Sequence, residues 1–297
     1  MAHLALFGEP ADDRCTGAGR AGKGQHMRVA IIGAGSIARI ALEHTQRGTL
    51  GDVEVVALMG RSMNSRGRAL AEANRCAFVA DLDSLLATAP DVVVEAAGHE
   101  AVRLHAEAVL ARGLALVVLS CGALADDALR GRLESTARAA GGLLYVPSGG
   151  ICGLDGLKTM ALAGVDEVSI AVTKPPIAWK GIAYVEKLGI DLAGLREATV
   201  LYDGPVREGA GYFPANVNIA AGLALAGIGF DRTRLKVVAD PALTRNTHFI
   251  EIRGKASDIS IRLANVADPD NPKTAWLACY SALCAIREAR SNVRYGT

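Results

Sequence analysis

MRVAIIGAGSIARIAL, residues 27–42, runs an apolar strand into a glycine turn and then into a helical pattern. The turn reads G-x-G-x-x-A across Gly33, Gly35 and Ala38. Glycine at the first position permits a tight turn, and at the second it lets the backbone approach a pyrophosphate. The small alanine lets helix and strand pack closely. The helix that follows supplies open N–H groups and the positive end of its dipole. The spacing therefore predicts a dinucleotide seat on the turn formed by Gly33, Gly35, Ser36 and Ile37. A lone glycine turn also occurs without a ligand; the units that repeat behind this one favour the ligand.

From residue 28 to residue 150, short apolar runs alternate with helical segments. VEVVALMG (53–60), DVVVEAAG (91–98), LALVVLSCG (114–122) and GLLYVPSGG (142–150) read as buried strands. EAVRLHAEAVLARG (100–113) and ADDALRGRLESTARAAGG (125–142) read as helices that stop on glycine. Strict alternation predicts an α/β chain with a Rossmann-type, doubly wound parallel sheet. Beyond residue 150 the runs become longer and richer in β-formers, as in EVSIAVTKP (167–175) and THFIEIRGKASDISIRLAN (247–265), which predicts a second, mixed α+β domain. The expected organisation is an extension over 1–26, a dinucleotide-binding domain over 27–147 and a substrate and dimerisation domain over 148–270. A C-terminal helix, opening at KTAWLACYS (273–281) within 271–297, is expected to return to the first domain.

The composition narrows the function classes. A net charge of +1 with interspersed signs and an aromatic content of 4% exclude a basic or stacking nucleic-acid surface. No apolar run reaches membrane-spanning length. Six scattered cysteines show neither a C-x-x-C pair nor metal spacing, so free thiols, a cytoplasmic setting and no metal are expected. The extension is Gly-rich and polar, and it lacks the apolar core of a signal peptide.

An NAD-preferring site places an acid at the end of its second strand. Here Gly60, Arg61 and Ser62 stand there, with Arg66 and Arg68 nearby. A guanidinium suits a 2′-phosphate, so Arg61 predicts that NADP is accepted at least as well as NAD; a solvated helix start would use the same arginines. Of six histidines, His3 and His26 fall in the extension, His44 and His105 on helices, and His99 at a helix start beside the cleft. His248 alone belongs to the second domain. Hydride loss from an amine or alcohol carbon needs a proton acceptor that works at neutral pH, which imidazole does best; a structural, hydrogen-bonded histidine fits the position too. Cys121 and Cys152 occupy tight turns as nucleophiles or as small packing residues.

Several segments together resemble the L-aspartate dehydrogenase family: IIGAGSIA, VVVEAAGHEAV, VVLSCGAL, PSGGICGLDGLK, TKPP, FPANVNIAAGLALAGIGFDRT, VVADP, NTHFIEIRG and NPKTA. The combination of S-G-x-I-x-G-L-D, F-P-x-N-x-N and the late N-x-H carries the resemblance, over nearly the whole chain beyond the extension. It implies NAD(P)-dependent oxidation of L-aspartate to iminoaspartate, which hydrolyses to oxaloacetate and ammonia. It also implies the reverse amination, a link to pyridine-nucleotide biosynthesis in some organisms, and a homodimer. By motif match the family's active-site histidine falls on His248 and its cofactor-contacting asparagine on Asn218. Another cofactor contact falls on Gly150, where the family has alanine; Cys152 replaces a usual glycine, and Lys255-Ala256 stand where Phe-Gly is often found. A dianionic substrate calls for cations, and Lys174 and Lys273 are the candidates. Two other readings compete. One is an NAD-dependent acylating aldehyde dehydrogenase with Cys121 as thiolate; the other is a non-catalytic nicotinamide-binding sensor.

Overall fold

The computed structural model describes residues 26–63, 67–214, 217–289, 291–293 and 295–296. Most of the predicted extension, with His3, lies outside the described residues, as does Arg66. His26 is described, and its imidazole meets Asp52 at 2.9 Å and Glu54 at 3.1 Å.

Apolar runs that lack alternation become strands buried on both faces in the middle of the sheet, while the run at 143–145, expected to be buried, forms an edge strand with Leu143 exposed. The first domain comprises β1 (Met27–Ile32), α1 (Ser36–Gln46), β2 (Val53–Met59), α2 (Gly67–Ala73), β3 (Ala77–Val79), α3 (Leu82–Ala87), β4 (Val92–Glu95), α4 (His99–Leu110), β5 (Ala115–Val118), α5 (Asp127–Ala140) and β6 (Leu143–Tyr145). Its six parallel strands lie in the order β3-β2-β1-β4-β5-β6, the doubly wound arrangement that the pattern predicts. Asp126 caps α5 through the Leu129 N–H at 3.0 Å, and Gly141 ends it in the left-handed region. The order reverses between β1 and β4, so a crevice opens above their carboxyl ends.

The second domain holds α6 (Leu154–Ala163), β7 (Val165–Lys174), α7 (Ala183–Lys187), β8 (Thr199–Pro205), α8 (Val206–Tyr212), α9 (Asn218–Ala226), β9 (Arg234–Ala239), β10 (Asn246–Gly254) and β11 (Asp258–Asn265). The mixed sheet runs β11-β10-β7-β9-β8, with β7 and β9 parallel and the remaining pairs antiparallel. Along β10, His248, Ile250 and Ile252 are buried while Phe249 is exposed, the alternation of a sheet covered on one face.

A small hairpin, β12 (Ala267–Asp268) with β13 (Asn271–Ala275), leads into α10 (Trp276–Glu288). The helix predicted to open at Lys273 starts three residues later. Ala275 is still paired with Ala267, and the Trp276 N–H donates to the Val266 carbonyl at 2.9 Å. Cys279, Leu283 and Ile286 of α10 join the core beneath α1 and β1. Asp268, wholly buried, ties the hairpin to α1 through Arg39 at 2.7 Å. Burial opposes ionisation of Asp268, yet the Ser36 hydroxyl, the Asp270 N–H and Arg39 outweigh it and hold the carboxyl below its ordinary range. Among the described residues no helix is long and apolar enough to cross a membrane.

Candidate active site

A groove of about 870 Å³ runs over the carboxyl ends of β1, β2 and β4, lined by Gly33, Gly35, Arg61, Ala96, Gly98 and His99 among others. Gly33 has φ of +116°, and a Cβ there would sit 2.7 Å from the Ala96 carbonyl oxygen. Nothing lies within 4 Å of a Cβ built on Gly35, so that side of the turn is open to a ligand. The N-terminus of α1 has no side-chain cap and no acid in its first turn. Its N-cap, Gly35, lines the groove, so the positive end of the helix dipole lies beside it as an anion seat, which fits a pyrophosphate. Ser36 opens α1 beside Asp268, and Ile37 reaches the neighbouring cavity. Arg61 lines the groove, whereas Arg68 is turned along its own helix to Glu72 at 2.7 Å.

That cavity, about 230 Å³, lies between the two domains. Ile37, Ala96, Ser120, Cys121 and the Ser148-Gly149-Gly150 loop line it from the first domain side, and Lys174, Asn218, Asn246 and His248 from the second. Sheet register explains the convergence. His248 of β10 pairs with Val172 of β7, and two residues along the same face put Lys174 beside Asn246. Asn246 in turn pairs with Asn265 of β11, whose Nδ2 donates to the Gly150 carbonyl at 2.8 Å. A Cβ on Gly150 would meet Ala275 and Asn265 at 3.5 Å, ordinary contact, so the loop would also accept alanine, the residue the resemblance implies there.

Asn218 opens α9 and is fixed by two donors. The Gly122 N–H reaches its Oδ1 at 2.9 Å and His99 Nε2 at 3.1 Å. A backbone N–H can only donate, so the atom it faces is the amide oxygen, and His99 carries its proton on Nε2. Among the described residues the Asn218 NH₂ has no hydrogen-bond partner, and it lines the cavity, placed to donate to a ligand. A Cβ on Gly122 would come within 2.5 Å of His99 Nε2 and 2.9 Å of Asn218 Oδ1. Gly122→Ala is therefore expected to cost about 1–3 kcal/mol in denaturant unfolding and to shift the His99 ring resonances. A variant as stable as the wild type with unshifted resonances would contradict this knot.

His248 is 4% exposed, and its Nδ1 has no hydrogen-bond partner among the described residues. Burial, with the Lys174 charge adding to it, pushes its pKa down to about 4, so the ring is neutral at pH 7. Lys174, 8% exposed, is pushed down to about 8 by burial, and its Nζ lies 4.9 Å from the Trp179 ring centre. The Lys273 side chain lies outside the described residues.

Cys121 does not suit the thiolate chemistry of the acylating alternative. Its thiol is buried, donates to the Asn218 carbonyl at 3.1 Å, and is pushed up to about 12, chiefly by burial. A protonated thiol committed to a backbone carbonyl is a poor nucleophile. Cys152 is exposed and lines a different groove.

Sequence reasoning missed Glu95. It ends an apolar strand and looks like the first residue of a loop, but it is 1% exposed and binds the backbone of two site loops. An acid following three valines is the one signal that could have found it. The role of His99 as a partner of Asn218 was equally hidden, since the two are 119 residues apart.

Residues 155–289 match the family described as "Aspartate dehydrogenase, C-terminal", and residues 33–147 match "Homoserine dehydrogenase, NAD binding domain". The chain is 44% identical over 270 residues to L-aspartate dehydrogenase 2 of Bordetella pertussis, covering 91% of this chain and 99% of that one. It is 38% identical over 272 residues to the L-aspartate dehydrogenase of Methanosarcina mazei, covering 91% and 100%. The crystal structure of aspartate dehydrogenase from Thermotoga maritima matches with a TM-score of 0.71 at 28% identity, covering 91% of this chain and 100% of that one. With two relatives well above 30% identity along nearly their full length, the chain belongs to the L-aspartate dehydrogenase family.

Proposed function

We propose that this protein is an NAD(P)-dependent L-aspartate dehydrogenase. Aspartate and NAD(P)⁺ give iminoaspartate, NAD(P)H and a proton; water then converts the imine to oxaloacetate and ammonia, and the whole sequence also runs in reverse. One observation carries the reading: a neutral buried imidazole, a buried lysine and an amide NH₂ meet on one cavity that adjoins the glycine-turn groove.

The turn of Gly33, Gly35, Ser36 and Ile37 would hold the pyrophosphate, Arg61 the adenosine end, and Asn218 and the Gly150 loop the nicotinamide end. The nicotinamide, when bound, accepts hydride from the substrate's α-carbon and returns it in the reverse direction. Lys174 pairs with a substrate carboxylate, and Lys273 is proposed for the other. As the α-carbon loses hydride, the substrate ammonium loses one proton, and neutral His248 takes it. Once it has released that proton to solvent, the same ring accepts one from the water that attacks the imine and passes it to the leaving ammonia. Both steps use the neutral imidazole that burial and Lys174 secure. The free thiols Cys76, Cys121, Cys152, Cys279 and Cys284 support a reducing, cytoplasmic setting. Exposed Phe249 and Val200 on the outer face of the second sheet support a homodimer formed there.

The test follows absorbance of reduced cofactor with oxaloacetate and ammonia, using NADH and NADPH in parallel. Oxidation of either cofactor that depends on both substrates supports the reading; binding without turnover supports the sensor and overturns it. In the same assay Arg61→Ala is expected to raise KM for NADPH about tenfold, the loss of a charge-assisted hydrogen bond, with KM for NADH little changed. A strong NAD preference unaffected by the substitution would refute the role of Arg61.

A further inference from the structure

We propose that the buried Glu95 carboxylate biases this site toward the oxidised, positively charged form of its cofactor, and so tilts the bound reactants toward aspartate. The inference rests on the dinucleotide reading above. Glu95 Oε1 accepts from the Ala97 and Gly98 N–H groups, both at 2.8 Å, and from the Ser120 hydroxyl at 3.0 Å. Oε2 accepts from the Ser120 N–H at 3.0 Å. Three of the four contacts come from backbone N–H groups, which can only donate, so both oxygens act as acceptors, as in the ionised carboxylate. All four donors are neutral, and among the described residues no ion pair to Glu95 is formed. The charge is spread over dipoles but is not cancelled. An uncompensated buried charge is costly, and a neutral acceptor would join the two loops at lower cost.

Its placement gives the charge a target. Ala96 lines both the groove and the cavity, Ala97 and Gly98 line the groove, and Ser120 and Cys121 line the cavity. The field of Glu95 reaches that wall, where it adds to burial in raising the Cys121 thiol. Oxidised nicotinamide carries a positive ring and the reduced ring is neutral, while the rest of the dinucleotide is unchanged between them. A fixed negative charge behind the wall therefore favours the oxidised form, on the order of tenfold at the effective dielectric of a protein interior.

The experiment measures Kd for oxidised and reduced cofactor by calorimetry in the wild type, Glu95→Gln, Glu95→Ala and Glu95→Asp. The ratio of oxidised to reduced Kd should rise about tenfold in the Gln and Ala variants and stay near wild type in Asp, which keeps the charge. Gln sets an NH₂ against backbone N–H groups and could fail to fold; Ala leaves room for water to serve those donors and carries the test in that case. A purely structural tie would weaken both forms alike, and an unchanged ratio in either charge-removing variant overturns the proposal. A wild type that binds neither form would overturn the dinucleotide reading instead.

Discussion

Replacing His248 with alanine is expected to lower kcat by roughly 10²–10⁴ while leaving the Kd for NAD(P)⁺ almost unchanged. The ring stands on β10, across the cavity from the glycine turn, so under the proposed mechanism its loss removes the proton acceptor and spares the proposed dinucleotide seat. Near-normal turnover would end its catalytic role. The substitution also carries a stability signature. The unfolded chain takes a proton on this histidine near 6.5, whereas the folded ring holds out to about 4. Protons are therefore bound by the unfolded state first, and wild-type stability falls relative to the variant as pH drops through that window. Above pH 6.5 the difference is flat. Denaturant unfolding of both proteins between pH 4 and pH 8 reads it directly.

Lys174→Met is expected to raise KM for aspartate by about 10–100-fold, the value of a charge-assisted bond to a carboxylate, with cofactor affinity unchanged. The folded lysine releases its proton near 8 and the unfolded one near 10.5. Wild-type stability therefore rises with pH between those values, and the variant loses that rise. Removing the cation also lifts one of the two influences that depress His248, so its titration should move upward from about 4, as read by NMR. An unchanged KM together with an unmoved histidine would remove Lys174 from the site.

These two groups show what a sequence discloses and what it conceals. The glycine turn was legible because its chemistry is local: Gly33, Gly35 and Ala38 lie within one strand-turn-helix unit, and backbone geometry alone demands small residues there. The parallel, doubly wound character of the first sheet followed from alternation, since buried parallel strands read as unbroken apolar runs, whereas the short edge strand β3 gave no such run. His248 and Lys174 were legible as residue types, but their neighbourhood was not. It depends on the pairing of β10 with β7, a register that no single segment encodes. Glu95, His99 and Asn265 stayed hidden for the same reason. Each acts through a partner 25 or more residues away, reached by tertiary packing. The late helix start has another origin: helical propensity in residues 273–275 gives way to strand pairing with β12.

The most direct measurement is a crystal structure of the protein with NAD(P)⁺ and an unreactive four-carbon dicarboxylate analogue of aspartate. The account predicts the His248 ring within about 3.2 Å of the analogue's amine or hydroxyl position, and a carboxylate on Lys174. The nicotinamide should stand about 3–3.5 Å from the carbon that would exchange hydride. An analogue seated elsewhere, or an imidazole turned away from it, would contradict the account.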